Sequence, residues 1–254
     1  MSQNQHPIDT DKIREVAGRL NAFSRILVLT GAGISQESGV PTFRGKDGLW
    51  KSQRAEDLAT PEAFAKDPVL VWKWYDWRRS LIKPLQPNRA HYALVDLEER
   101  VEDFSLVTQN IDGLHRAAGS KNLIEMHGTL WCVRCTLCGK TSDNREVPIT
   151  IPPMCEACGG MLRPDVVWFG EALDYEGLTR IYRLLENTEM MLVVGTSGVV
   201  QPAASFGLAA KRSGAFVVEV NRSKTPQSPF FDVSLDGKAG EILTRLVSAM
   251  NDYA

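Results

Sequence analysis

The cysteines are the residues whose spacing points most directly to a chemistry. Cys135-Thr-Leu-Cys138-Gly and Cys155-Glu-Ala-Cys158-Gly repeat one pattern, with two residues between the thiols and a glycine after the second. Two intervening residues let one tight turn direct both sulfurs at one ion, and the glycine relieves the turn's backbone strain. Sixteen residues, 139–154, separate the pairs, inside the usual range for a four-cysteine zinc site. Four thiolates close the tetrahedron, so the expected zinc is structural, one per chain. All 5 cysteines lie between Cys132 and Cys158. The N-terminus, MSQNQHPIDTDK, lacks the charged-then-apolar pattern of a secretion signal, which favours a metal over disulfides and predicts a cytoplasmic protein. Cys132 also forms a C-x-x-C with Cys135. Only Cys138 and Cys158 carry the matching glycine, so Cys132 is left out.

The second candidate is Thr30 to Gly45, TGAGISQESGVPTFRG. It follows the apolar run Arg25–Leu29, which reads as a buried parallel strand. Gly31-Ala32-Gly33 permits a tight turn and a close approach of backbone N–H groups to an anion. Gly39 and Pro41 stop any helix after about a turn. A polar loop with Phe43, Arg44, Gly48 and Trp50 follows and suits a lid over a dinucleotide. The spacing is not the usual G-x-G-x-x-G, and no acidic residue stands clearly about 20 positions on.

These residues need a scaffold, and the chain supplies one. Asp9 or Thr10 can cap a first helix with Ile13, Val16, Ala17 and Leu20 on one face. Asp67-Pro68 opens a long second helix and Asn88 a third. Strands are expected at Phe104–Thr108, Leu123–Met126, Met190–Val194 and Ala215–Val220. Helices are expected around Leu178–Leu185, up to Arg212 with Gly214 as stop, and near Glu241–Met250. Strand–helix alternation predicts an α/β fold, a parallel sheet with helices on both faces. Small polar or glycine residues end the strands: Gly31, Asn110, His127, Gly195 and Asn221. Ligands of open α/β sheets bind at those ends. The cysteine module interrupts the pattern as a small second unit.

The 254 residues allow one large domain plus a small one. A net charge of −2 leaves no electrostatic footprint for nucleic acid or an anionic membrane, and no apolar run reaches membrane-spanning length. Neither nucleic acid nor membrane is an expected partner.

In combination, GAGISQESGVPTFRG, TQNIDGLH, the EMHG around His127, the two cysteine pairs, VVWFGE, GTS and VEVN resemble the sirtuins, in the same order, from about Leu27 to the C-terminal helix. Those are NAD-dependent protein-lysine deacylases. The resemblance implies a large Rossmann-like unit, about 1–128 and 165–254, and a zinc module, about 129–164, with a helical insertion at 45–85 packed near it. It implies an NAD site drawn from Gly31, Ala32, Gly33, Ile34, Phe43, Arg44, Trp50, Gln109, Asn110, Ile111, Asp112, Gly195, Thr196, Ser197, Asn221 and, more loosely, Ala239. Within that site the Gly31–Gly33 backbone and Arg44 would hold phosphates, and Phe43 would shield the reacting sugar carbon. Asn110 and Asp112 would hold the carboxamide and its water, so both count as catalytic with His127. The loop of Val167, Trp168 and Phe169 would pair with an acyl-lysine peptide as an added strand. In the chemistry so implied, nicotinamide leaves the ribose and the acyl oxygen attacks the sugar carbon. His127, as a neutral imidazole, then takes a ribose hydroxyl proton. The products would be free lysine, nicotinamide and O-acyl-ADP-ribose. His115, just past the QNID turn, is the one competitor for the base.

Tyr75 and Arg78 lie three apart, on one face of the second helix. Spacing alone cannot choose Arg78 over Arg79. The resemblance chooses it, because sirtuins that act on succinyl- and malonyl-lysine carry Tyr-x-x-Arg here after a Thr-Phe-Arg lid, and Thr42 is present. The expected activity is desuccinylation and demalonylation with weaker deacetylation. A plain deacetylase, a protein ADP-ribosyltransferase and a non-catalytic NAD or ADP-ribose reader are the alternatives.

Overall fold

The computed structural model describes residues 9–41 and 54–253. In chain order its elements begin with α1 (Thr10–Ala22), β1 (Arg25–Thr30) and a 3-10 helix (Ala32–Ser38). Then come α2 (Ala55–Leu58), α3 (Pro61–Lys66), α4 (Pro68–Ile82), α5 (Arg89–Arg100), β2 (Asp103–Thr108), α6 (Leu114–Ala118) and β3 (Leu123–Glu125). β4 (Gly128–Cys135), β5 (Thr141–Asp143) and β6 (Leu162–Val166) form a separate group. The chain closes with α7 (Tyr175–Asn187), β7 (Met190–Val194), α8 (Ala203–Arg212), β8 (Phe216–Asn221), β9 (Val233–Asp236) and α9 (Ala239–Ala249).

Six strands form one parallel sheet in the order β3-β2-β1-β7-β8-β9. This is a Rossmann-like sheet, and its strand order reverses between β1 and β7. Successive β1 side chains alternate faces, as strand geometry requires. Ile26 and Val28 join the core under α1, α5 and α9, while Leu27 and Leu29 join the one under α7 and α8. Burial on both faces explains why the central strands read as continuous apolar runs.

The helix starts follow local chemistry. The Asp9 carboxylate accepts from the amides of Asp11 and Lys12, so Asp9 rather than Thr10 is the cap. Asp67 caps α4 with Pro68 at its first position. Asn88 caps α5, and His91 answers by accepting the Asn88 N–H on Nδ1 at 3.2 Å. After β1 the short helix runs seven residues, about two 3-10 turns rather than one, before Gly39 ends it at φ +91°.

β5-β4-β6 is a second, antiparallel sheet. Its apolar side meets α2–α4 in a third core containing Trp72, Trp74, Tyr75, Leu130, Trp131, Val133 and Trp168. Among the described residues no helix is long and apolar enough to cross a membrane.

Candidate active site

A cavity of about 1600 Å³ opens where the strand order reverses, between the C-terminal ends of the large sheet and the α2–α4 and β6 side. Gly31, Asn110, His127, Gly195 and Asn221, the five expected strand-end residues, all line it. So do Ala32, Gly33, Gln109, Ile111, Asp112, Thr196, Ser197 and Ala239, and on the opposite wall Tyr75, Arg78, Val167, Trp168 and Phe169. Phe43, Arg44 and Trp50 lie outside the described residues. Ile34 is a correction. The 3-10 helix turns its side chain inward, fully buried in the α1/α5/α9 core, and it does not line the cavity.

The glycines serve a tighter purpose than the spacing predicts. The Gly31 amide donates to Val194 O at 3.0 Å and the Gly33 amide to Gly195 O at 2.8 Å. A Cβ on Gly33 would stand 2.7 Å from Gly195 Cα, closer than real Cβ contacts come. The two turns therefore interlock across β1 and β7. The amide of Ala32 has no backbone partner among the described residues.

Asn110 spends both amide hydrogens inside the protein, on Gly31 O and Ser35 Oγ, each at 3.1 Å. Its Oδ1 is thus left as an acceptor toward the cavity. Asp112 accepts from Ser35 Oγ at 2.7 Å and from the Leu114 amide at 2.9 Å. Burial raises the Asp112 pKa, and those two hydrogen bonds oppose the shift.

His127 is placed by a close backbone contact. Gly128, at φ +74°, starts β4 where a Cβ would fall 2.1 Å from Asp165 O. His127 Nδ1 lies 2.9 Å from Gln109 O. A carbonyl only accepts, so Nδ1 carries the proton and Nε2 keeps its lone pair. Burial lowers the ring's pKa, with the Gln109 bond opposing, so it is neutral at pH 7.

His115 is not a competing base. It is buried, and Nε2 meets Thr30 Oγ1 at 2.9 Å behind the sheet ends. Thr30 Oγ1 bonds Thr108 Oγ1 at 2.8 Å, and Thr108 Oγ1 accepts the Asn110 amide at 3.1 Å. His91 stacks edge-on against His115 with centroids 4.8 Å apart and reaches toward Ser35. No motif in the sequence singles out His91 for this network. Its one sequence signal is position, three after the Asn88 cap.

Burial lowers the His91 pKa from 6.5 to about 4. Above pH 6.5 the ring is neutral folded or unfolded. Below it the unfolded chain takes a proton that the native state refuses, so stability is lost as pH falls from 6.5 toward 4. That one group is worth about 3 kcal/mol by pH 4. Urea unfolding at several pH values should show a shallower acid loss in His91→Gln than in the parent. Parallel pH profiles would assign the loss elsewhere.

On the opposite wall, α4 separates its two arginines. Arg79 turns to the small sheet, donating to Leu130 O at 2.8 Å and Asn144 Oδ1 at 2.9 Å. Arg78 lines the cavity, its guanidinium 4.9 Å from the Trp74 ring centroid and 5.7 Å from that of Tyr75. Tyr75 is 1% exposed and accepts from Trp168 Nε1 at 2.8 Å. Burial above all pushes its pKa up to about 12, so the phenol keeps its proton. The amides of Val167, Trp168 and Phe169 are engaged, by His127 O, Glu171 Oε2 and Ala59 O. Trp168 O accepts the Glu171 amide at 3.0 Å, which leaves the Val167 and Phe169 carbonyls to any added strand.

The four paired cysteines gather away from this cavity. Their sulfurs all lie within 4.8 Å of one another, with Cys135–Cys158 at 3.5 Å and Cys138–Cys155 at 3.9 Å. Tetrahedral zinc–thiolate bonds of about 2.3 Å set sulfurs about 3.8 Å apart, so the set fits zinc. The amides of Leu137 and Cys138 both point at Cys135 Sγ from 3.4 Å, which favours a thiolate. Cys132 stands outside the set and donates to Asp143 Oδ1 at 3.2 Å. Burial, then Asp143, pushes its thiol up to about 11.

The "Sir2 family" model matches residues 31–202. An "NAD-dependent protein deacylase" of Aquifex aeolicus (strain VF5) is 52% identical over 228 residues, 89% of this chain and 95% of that protein. A solved Sir2 homologue–NAD complex superposes with a TM-score of 0.90 at 46% identity, covering 100% of this chain and 97% of that one. A mutant Sir2 homologue in complex with 2'-O-acetyl ADP ribose gives 0.89 at 47% identity, covering 96% and 97%. With that match and that identity, the chain belongs to the Sir2 family, the sirtuins.

Proposed function

We propose that this sirtuin is an NAD-dependent protein-lysine deacylase that prefers acyl groups ending in a carboxylate, succinyl and malonyl, and retains weaker deacetylation. The deacylase reading rests on His127, neutral with Nδ1–H anchored on Gln109 O and Nε2 free at the cavity beside Asn110 and Asp112. NAD supplies the ribose carbon that receives the acyl oxygen, with nicotinamide as leaving group. Asn110 Oδ1 and the Asp112 carboxylate hold the carboxamide and its water. The Ala32 amide and the Thr196, Ser197 and Asn221 side take the rest of the dinucleotide. His127 Nε2 accepts the proton of a ribose hydroxyl. The carbonyls of Val167 and Phe169 receive the substrate peptide. The chain divides into a nucleotide unit, about 1–128 and 165–254, and a zinc unit, about 129–164, with α2–α4 beside it. The separate cores support that division.

The acyl preference rests on Tyr75 and Arg78. A buried phenol O–H and a guanidinium share one wall of the cavity, and no acceptor for that O–H stands among the described residues. A terminal carboxylate can accept from both, and an acetyl methyl can accept from neither. Charge-assisted hydrogen bonds contribute about 1.5–3 kcal/mol, roughly 10- to 150-fold in rate. Arg78→Met is expected to lower kcat/KM on a succinyl-lysine peptide by that order and to spare the acetyl-lysine peptide. Equal loss on both would leave a plain deacetylase.

A further inference from the structure

A phenol oxygen has two in-plane directions and one hydrogen. At Tyr75 the Trp168 indole N–H occupies one direction at 2.8 Å. The hydroxyl hydrogen is left with the other, which makes Tyr75 a donor. Donor geometry then depends on where the Trp168 ring sits, and that ring is held from several sides. Glu171 Oε2 accepts the Trp168 amide at 2.8 Å. The Arg163 guanidinium lies 3.5 Å from the ring centroid. Arg163 and Glu171 pair through two parallel bonds, at 2.5 and 2.8 Å, and Arg163 Nη2 also donates to Val166 O at 2.9 Å. Phe64 packs on the ring with centroids 5.1 Å apart. Fork-to-fork pairing fixes direction as well as distance, so the clamp sets the rotation of the ring and not only its burial.

We propose that Arg163 and Glu171 are positioning residues for acyl selection: they hold Trp168 so that its N–H keeps Tyr75 as a hydrogen-bond donor, favouring acyl chains that end in a carboxylate. This rests on the acidic-acyl reading of Tyr75 and Arg78. A clamp that serves only the fold would weaken every substrate alike. This one should act on the ratio between substrates.

The test uses succinyl-lysine and acetyl-lysine peptides of one sequence at saturating NAD. Glu171→Gln is expected to lower succinyl kcat/KM about 2- to 10-fold, the effect of one misaligned hydrogen bond. The loss should fall on KM, with acetyl kinetics little changed. In a Tyr75→Phe background the same substitution should cost nothing further, because the hydroxyl it orients is gone. Arg163→Lys keeps the charge but loses the planar fork and the stack on Trp168. It should reproduce the selective loss and serves if Glu171→Gln folds poorly. Equal loss on both peptides, or an undiminished effect without the Tyr75 hydroxyl, overturns the inference. Arg78→Met separates the two levels. If it is succinyl-selective while Glu171→Gln is not, the clamp fails and the acyl reading stands. If it is not selective, both fall.

Discussion

Replacing His127 with alanine is expected to lower deacylation by on the order of 10²-fold or more while NAD binding and the folded state persist. The ring is partly exposed at the cavity, and among the described residues its hydrogen bond is Nδ1 to the Gln109 carbonyl, so its removal strands no buried charge. What disappears is the Nε2 lone pair. The pH profile offers a second reading of the same atom. Burial places the His127 pKa below 6.5, and only the neutral ring can take a proton. The parent rate should therefore be level at neutral pH and fall as pH drops through that lowered pKa. Turnover and calorimetric NAD binding, measured on the same preparation, decide the matter. A variant with near-normal turnover removes His127 from the mechanism. One that no longer binds NAD gives it a binding role instead.

Loss of a zinc ligand is expected to be the most damaging change to stability. Elemental analysis should find about one zinc per chain, and Cys135→Ser or Cys158→Ser should lose it. Zinc held by small cysteine sites contributes about 10–16 kcal/mol of apparent binding energy at neutral pH, most of it coupled to folding. The cysteine turns join β4 and β6, which carry Leu130, Val133 and Val166 into the core shared with Trp72, Trp74 and Tyr75. Unfolding of that sheet should therefore reach the acyl wall, and metal loss should lower both the melting temperature and deacylation. Cys132→Ser should keep the zinc, because Sγ is engaged with Asp143 and lies outside the four. Zinc lost in Cys132→Ser and kept in Cys138→Ser would show the wrong four cysteines.

What could be read from the chain alone was what local chemistry controls. A C-x-x-C-G turn directs two sulfurs whatever surrounds it, and the two turns meet as their spacing predicts. Asp9, Asp67 and Asn88 cap helices because the cap bonds lie within a few residues. The strand ends converge because parallel strands joined by helices leave them on one edge. Tertiary structure decided the rest. Arg78 and Arg79 differ by one helical step, and only the packing of α4 on β4 sends one to Leu130 and Asn144 and the other to the cavity. Ile34 reads as part of the nucleotide turn, yet a core built by α1, α5 and α9 claims its side chain. The amides of Gly31 and Gly33 look available for phosphate until β7 arrives beside β1 and takes both. In sequence His91 is one more residue of an amphipathic helix and His115 a competitor for the base. They become the backing of Asn110 and Asp112 because α5 and α6 bring them together, over sequence distances that no local pattern spans. Short β5 and β9 carry no pattern of their own, since their pairing partners rather than their propensities make them strands.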